Sequence, residues 1–187
     1  MEKNKILTIP NLITTVRILM APFFISAMMK NDYSLALKIV IFAGITDSLD
    51  GILARVFNQT SKLGVFLDPF ADKLFLVSIM LVFYLKDIAP KWFLLIVFLR
   101  DIFVAFGWLE VYLKRNVMIK PTIIGKLSNA SQIMIFAYIL LSLNFNLPQP
   151  NFIFYLIVSG LSIISILQYA FIRFKDEQRI KNRKSSS

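Results

Sequence analysis

The stretch that decides the fold runs from residue 47 to residue 72 and reads DSLDGILARVFNQTSKLGVFLDPFAD. It holds four of the chain's eleven acidic residues, Asp47, Asp50, Asp68 and Asp72, between segments rich in Leu, Ile and Phe. An aspartate in hydrocarbon costs at least about 2.5 kcal/mol, so four of them require compensation. The window therefore predicts a polar cavity inside an apolar helical protein.

The composition around this window is that of a polytopic membrane protein. Hydrophobic residues make up 57% of the 187 residues and charged residues 17%, whereas soluble domains carry roughly 25% charged residues. Continuous apolar runs of about 20 residues suit the thickness of a bilayer and predict an all-α bundle of six transmembrane helices. We expect one domain, 1–187, with spans at 12–29, 34–56, 63–85, 92–113, 122–143 and 152–172 and a basic tail at 173–187.

Lys and Arg fall mostly on one side of the predicted spans. Thirteen lie on the side that both termini share, and three lie on the other. Because basic residues mark cytoplasmic loops, we expect a multi-pass protein of the cytoplasmic (inner) membrane with both termini in the cytoplasm. The active-site cavity would open to the same side. Because the basic residues cluster on the predicted cytoplasmic side of the spans, the net charge of +10 is explained by contact with a membrane surface. No nucleic-acid partner is therefore expected.

Two residue types are missing from the chain, since it contains no cysteine and no histidine. Disulfide frameworks and thiolate metal sites are thereby excluded, as is histidine acid–base chemistry. Any acid–base or metal chemistry falls to carboxylates, which favour hard cations such as Mg²⁺ or Mn²⁺.

Helical spacing places the key residues of the window in two sets, each on one face of its own helix. The sets are Asp47, Asp50, Gly51 and Ala54 on one helix, and Gly64, Asp68 and Asp72 on the next. Convergent carboxylates repel one another without a cation, whereas one or two divalent ions would make them an oxygen-lined site for a diphosphate. The small residues would admit a bulky ligand, and Arg55 would meet phosphate oxygens. The alternative is a set of interhelical ion pairs.

Together these positions read D-x2-D-G-x2-A-R-x8-G-x3-D-x3-D, the full motif of the CDP-alcohol phosphotransferase family, which the chain resembles over essentially its whole length. The resemblance implies a phospholipid-synthesis enzyme that transfers a phosphatidyl group from CDP-diacylglycerol to an alcohol and releases CMP. It implies two metal ions, Mg²⁺ or Mn²⁺, held by Asp47, Asp50 and Asp68. Asp72 would contact the metal and act as the base. Further implications are a homodimer and a CDP site of Gly51, Ala54, Arg55, Ser61 and Gly64.

The entry to the first span, IPNLITTVRILMAP at residues 9–22, resembles that of bacterial phosphatidylglycerophosphate synthases and of eukaryotic-type cardiolipin synthases. Asn11, Thr14 and Arg17 recur there every three residues. We expect Asn11 and Thr14 to line the CDP site and Arg17 to bind the acceptor. The alternative for Arg17 is an arginine that snorkels to the headgroups.

Two cations interrupt later spans, Arg100 in the fourth and Lys126 in the fifth. Deep in apolar helices, they are expected to bind an acidic acceptor phosphate. The alternative is a pairing of Arg100 with Asp101, or of Lys73 with an acid.

The acceptor predicted from sequence is glycerol-3-phosphate, supported by a resemblance of the SILQY segment to the enzymes that use it. Those enzymes typically carry Gly-Lys-x-Lys-Thr, and this chain has Gly125-Lys126-Leu127-Ser128-Asn129, which lacks the second lysine. The stretches AGITDSLDG, LRD and KPTIIGK resemble cardiolipin synthases, so phosphatidylglycerol is the alternative acceptor. Inositol phosphate, serine or another alcohol is a further alternative, disfavoured by a weaker overall resemblance. From another class, a small-solute transporter is disfavoured because the chain has no internal repeat.

Overall fold

The computed structural model describes residues 9–57, 62–115 and 122–185, with side chains described for 14–46, 71, 73–107, 122–172 and 174. Over these residues the chain forms six α-helices and no strand, which confirms the all-α prediction. In chain order they are α1 (Ile9–Met29), α2 (Tyr33–Phe57), α3 (Lys62–Leu85), α4 (Lys91–Arg115), α5 (Ile123–Phe145) and α6 (Phe152–Ser185).

The helix ends lie within three residues of the predicted span ends everywhere except at the end of α6. There the helix continues through the basic segment to Ser185. The physical reason is that this segment is rich in Lys, Arg, Glu and Gln, which are good helix formers, and contains no Gly or Pro.

Two helical segments, Ile123–Phe145 and Phe152–Ile172, are long and apolar enough to cross a membrane. Large apolar side chains are exposed on all six helices, including Phe106 at 67% and Met134 at 72%. Exposed apolar area of this extent is typical of a surface that lipid or another chain covers. Membrane association is therefore supported, while the six spans and the cytoplasm-facing cavity stay predictions.

The helices separate into two compact units. The first unit is Met1–Ala89 with Phe136–Gln149, and the second is Pro90–Ile135 with Pro150–Ser187. Helix α5 contributes to both. The expectation of a single domain over 1–187 stays a prediction.

In the first unit, α1 packs against both α2 and α3. Small side chains let the helix backbones approach closely, and the buried ones are Ala21, Ala27, Ala36, Ala43 and Ala71. Between them the Phe24 ring packs on Phe75 with centroids 5.8 Å apart. Helix α1 is thus the partner of both helices that carry the aspartate motif.

Helices α1, α3 and α5 end in the same way within this unit. Asn31, Asp87 and Asn146 adopt left-handed backbone angles, with φ of 61°, 52° and 53°. The following amides close the ends, since Asp32 N donates to Ala27 O over 2.9 Å and Ile88 N to Phe83 O over 3.0 Å. Asn and Asp tolerate this conformation better than other non-glycine residues, so these three positions are natural helix stops.

In the second unit, α4 packs against α6. The fully buried Phe93 meets Tyr155 edge to face with centroids 5.0 Å apart. Trp92 packs in the same way on Phe152 at 5.7 Å. These aromatic contacts fix one end of the α4–α6 pair.

Candidate active site

The aspartate motif lies on the two helices that pack against α1. Asp47 and Asp50 belong to the second half of α2, and Asp68 and Asp72 to the first half of α3. Because both segments are continuous α-helix, residues spaced by three or four positions share a helix face. The observed helices are thus compatible with the prediction that the motif residues share one face of α2 and one face of α3.

The motif side chains lie outside the described residues, so their roles stay predictions. This applies to Asp47, Asp50, Gly51, Ala54, Arg55, Gly64, Asp68 and Asp72. Ser61 lies outside the described residues altogether. Four carboxylates in a chain without His or Cys offer oxygen ligands only, and these fit Mg²⁺ or Mn²⁺ rather than a soft metal.

Helix α1 carries two buried polar side chains. Thr14 is fully buried and Arg17 is 3% exposed. An arginine that snorkels to the headgroups would expose its guanidinium, so the burial of Arg17 favours the interpretation that it lines a polar interior. Asn11 also lies in α1, but its side chain is outside the described residues.

In the second unit a buried polar network surrounds Arg100. Its Nη1 atom donates to Asp101 Oδ1 over 2.7 Å, and its Nη2 atom donates to the carbonyl oxygen of Gly125 over 2.8 Å. A longer contact of 3.5 Å joins Nη1 to Asn129 Oδ1. Arg100 and Asp101 are each 3% exposed. The predicted alternative, a pairing of these two residues, is therefore what the structure contains.

Lys126, the other predicted acceptor-binding cation, lies in the first turn of α5 and is exposed. The turn is capped by Thr122, whose hydroxyl accepts a hydrogen bond from Gly125 N over 3.1 Å. Tyr169 of α6 packs against the same turn. Lys126 thus extends from a turn that is held on several sides.

Sequence reasoning missed Gln132, which is fully buried and donates from Nε2 to Asp101 Oδ2 over 3.1 Å. It also missed the buried contact of Ser128 with Ser162, whose hydroxyl oxygens are 3.3 Å apart. The signal was present, because Ser128 and Gln132 are four residues apart and share a face of α5. Polar residues on one face of an apolar helix indicate a polar partner helix.

Comparisons with known proteins agree with this motif. The family model for CDP-alcohol phosphatidyltransferase matches residues 7–171. A Mycobacterium tuberculosis protein named "Putative cardiolipin synthase" is 35% identical over 145 residues, which are 75% of this chain and 68% of that protein. A Drosophila melanogaster protein named "Probable cardiolipin synthase (CMP-forming)" is 42% identical over 103 residues, 54% of this chain and 32% of that protein.

A third relative aligns almost from end to end. The "CDP-diacylglycerol--glycerol-3-phosphate 3-phosphatidyltransferase" of Wigglesworthia glossinidia brevipalpis is 30% identical over 178 residues, 91% of this chain and 97% of that protein. These matches favour the enzyme interpretation over the transporter alternative. With the motif carried on α2 and α3 and the match covering nearly all six helices, the chain belongs to the CDP-alcohol phosphatidyltransferase family.

Proposed function

We propose that this protein transfers a phosphatidyl group from CDP-diacylglycerol to the hydroxyl of a glycerol-bearing acceptor and releases CMP, as a step of phospholipid synthesis. The observation that carries the proposal is the complete aspartate motif on α2 and α3, the two helices packed on α1. It lies within the family match at residues 7–171.

In the proposed reaction, Asp72 takes the proton of the acceptor hydroxyl. The freed oxygen attacks the phosphorus that bears the diacylglycerol, forming a P–O bond, and the bond from that phosphorus to the bridging diphosphate oxygen breaks. CMP leaves with the bond's electrons. An alcohol is a weak nucleophile near neutral pH, so a positioned base contributes about 10²–10⁴-fold to the rate.

The CDP group would be held by small and cationic residues around the aspartates. The proposed set is Asn11, Thr14, Gly51, Ala54, Arg55, Ser61 and Gly64. Arg55 would pair with phosphate oxygens in the bidentate manner of guanidinium groups. Asp47, Asp50, Asp68 and Asp72 would hold two Mg²⁺ or Mn²⁺ ions. When bound, such ions polarise a diphosphate and neutralise the charge of the departing phosphate.

For the acceptor, we propose glycerol-3-phosphate, whose phosphate Lys126 would bind; Arg17 stays a predicted acceptor ligand. A phosphomonoester carries up to about two negative charges near neutral pH, which suits cationic side chains. The observation in favour is the Wigglesworthia enzyme, whose name specifies glycerol-3-phosphate and which aligns over 91% of this chain.

Phosphatidylglycerol is the second candidate acceptor, and two observations favour it. The Drosophila and Mycobacterium relatives, with 42% and 35% identity, carry cardiolipin synthase names. Arg100, one of the predicted acceptor cations, is held by Asp101 and Gly125 within its own unit. Fewer open cations suit a phosphodiester, which has one negative charge, better than a phosphomonoester.

The proposed setting is the cytoplasmic (inner) membrane, which all six helices would cross with both termini in the cytoplasm and the cavity open to that side. The exposed apolar side chains on every helix and the excess of basic residues on one side support this topology. We also propose a homodimer, on the family resemblance alone.

The test uses purified protein in detergent with Mg²⁺ and CDP-diacylglycerol, and offers glycerol-3-phosphate and phosphatidylglycerol separately. Mass spectrometry of the lipid product identifies the acceptor. Phosphatidylglycerophosphate is expected from the first acceptor, whereas cardiolipin from the second alone would establish the second candidate. No product from either would contradict the proposed acceptor class.

A further inference from the structure

The buried network around Arg100 has the form of a clamp on the first turn of α5. One guanidinium reaches a carboxylate on its own helix and a backbone carbonyl on another, through Asp101 and Gly125. Gly125 immediately precedes Lys126. A hydrogen bond to the Gly125 carbonyl therefore fixes the backbone from which the Lys126 side chain extends.

The carboxylate partner is itself fixed. Asp101 Oδ1 accepts from Arg100, and its Oδ2 accepts from Gln132 Nε2 over 3.1 Å. Gln132 is fully buried and lies two turns further along α5 than Gly125. The helix is thus held at two points along one face, by the cation at Gly125 and by the carboxylate at Gln132.

Charge balance argues against Arg100 as a direct ligand of an anionic acceptor. Asp101 neutralises Arg100 at 2.7 Å in a site where the two side chains are 3% and 4% exposed respectively. A buried and paired guanidinium offers little net attraction to an anion. The Nε atom of Arg100 is buried and has no hydrogen-bond partner among the described residues, so a direct role of this donor is tested as well.

We infer that Arg100 is a positioning residue, which with Asp101 and Gln132 holds the first turn of α5 so that Lys126 meets the acceptor phosphate. This inference rests on the proposed transferase function only for its kinetic consequence. The clamp itself is a property of the second unit and can be measured without turnover.

The kinetic experiment is a double-mutant cycle between the clamp and Lys126. The clamp is removed by Arg100→Met with Asp101→Asn, which takes out both charges together and leaves no unpaired buried ion. Lys126→Gln removes the cation. We expect each change alone to raise the acceptor KM by about tenfold, and the combined variant to show no further rise beyond Lys126→Gln.

A direct acceptor ligand would behave differently. If Arg100 itself bound the acceptor phosphate, the two changes would act independently and their effects on the acceptor KM would multiply. That outcome would overturn the inference. The KM for CDP-diacylglycerol should stay within about twofold in every variant. Ser159→Ala is the control for general loss of packing, because this serine lies in the same unit, is buried, and its hydroxyl makes no hydrogen bond to any described residue.

The structural experiment uses the absence of cysteine from the natural chain. Cysteines at Leu99 and Leu127, both about half exposed, carry spin labels on α4 and α5 beside the clamp. Double electron–electron resonance in detergent should give a narrow distance distribution that broadens or shifts when the clamp is removed, but not with Ser159→Ala. An unchanged distribution would overturn the inference. If the natural protein showed no turnover but removal of the clamp still broadened the distance distribution, only the proposed function would be contradicted.

Discussion

The hydroxyl of Tyr169 lies so close to Gly125 that a Cβ atom added at this glycine would be 3.1 Å from it. The same Cβ would be 3.0 Å from the hydroxyl of Thr122, which caps the helix. The first turn of α5 is therefore wedged between its own cap and α6. Gly125 permits this close approach, because a Cβ here would crowd both hydroxyls.

Gly125→Ala is expected to destabilise the protein, because the new methyl group must push Tyr169 or Thr122 aside. Overpacking of this kind costs about 1–3 kcal/mol, which outweighs the gain of up to about 1 kcal/mol in helix propensity. Thermal unfolding in detergent measures the change.

Gly160→Ala is the matched control, since it lies in α6 of the same unit and an added Cβ there meets no atom of the described residues within 4 Å. It should leave stability unchanged or raise it slightly. Equal melting temperatures for the two alanine variants would contradict the close packing of Tyr169 on Gly125.

Lys86→Met should loosen the end of the first unit opposite the aspartate motif. The Lys86 ammonium donates to the Met28 carbonyl over 2.6 Å and to Asn31 Oδ1, and lies 5.3 Å from the centre of the Tyr33 ring. It thus ties α3 to the turn between α1 and α2. We expect a loss of about 1 kcal/mol of stability.

The comparison for this variant is Lys30→Met, which changes an exposed lysine in the same turn. Hydrogen exchange at the α1–α2 turn should rise with Lys86→Met and stay unchanged with Lys30→Met. If both variants exchanged at the natural rate, the Lys86 contacts would contribute nothing to the stability of this turn.

Asp72→Asn should abolish turnover and leave CDP-diacylglycerol binding largely intact. The amide cannot accept the hydroxyl proton, so a loss of at least about 10²-fold in kcat is expected. Calorimetry in detergent measures the binding of a CDP-lipid, and so distinguishes a loss of turnover from a loss of substrate affinity. Asp87→Asn serves as the control in the turn that follows the same helix, because Asn suits the left-handed angle of 52° there. Near-natural turnover with Asp72→Asn would remove Asp72 from the role of base.

Metal removal should stop CMP release, and Mg²⁺ or Mn²⁺ should restore it. In Asp68→Asn, the cation concentration for half-maximal activity should rise at least about tenfold, as expected when a metal site loses a charged group. The control is Asp32→Asn, at an exposed carboxylate whose Oδ1 accepts from Leu35 N at the start of α2; an amide oxygen can do the same. Full activity after exhaustive chelation would contradict a metal-dependent site.

The sequence predicts helix existence and most helix ends well in this chain. Lys30, Asn31 and Asp32 mark one stop and the KDIAP segment another, and both coincide with left-handed caps. The end of α6 is different. A loss of hydropathy predicts the end of a span, but a charged segment of good helix formers has no reason to stop being helical.

Part of the candidate site can be predicted from the sequence and part cannot. The aspartate motif can be predicted because its spacing is fixed by helical geometry and because charges in apolar helices are costly. The partners of Arg100 are not readable in this way, since a carbonyl at Gly125 and an amide at Gln132 are brought to it only by packing between helices. The neighbouring positions of Arg100 and Asp101 make their pairing possible, but only the contacts with α5 show that it forms.

The stoichiometry of CMP release by the purified protein with Mg²⁺, CDP-diacylglycerol and an acceptor tests the transferase reaction itself. We expect one CMP for each new phosphodiester lipid, no release without acceptor, and none from Asp72→Asn under either condition. CMP released without lipid product, or equally by Asp72→Asn, would rule out the proposed reaction.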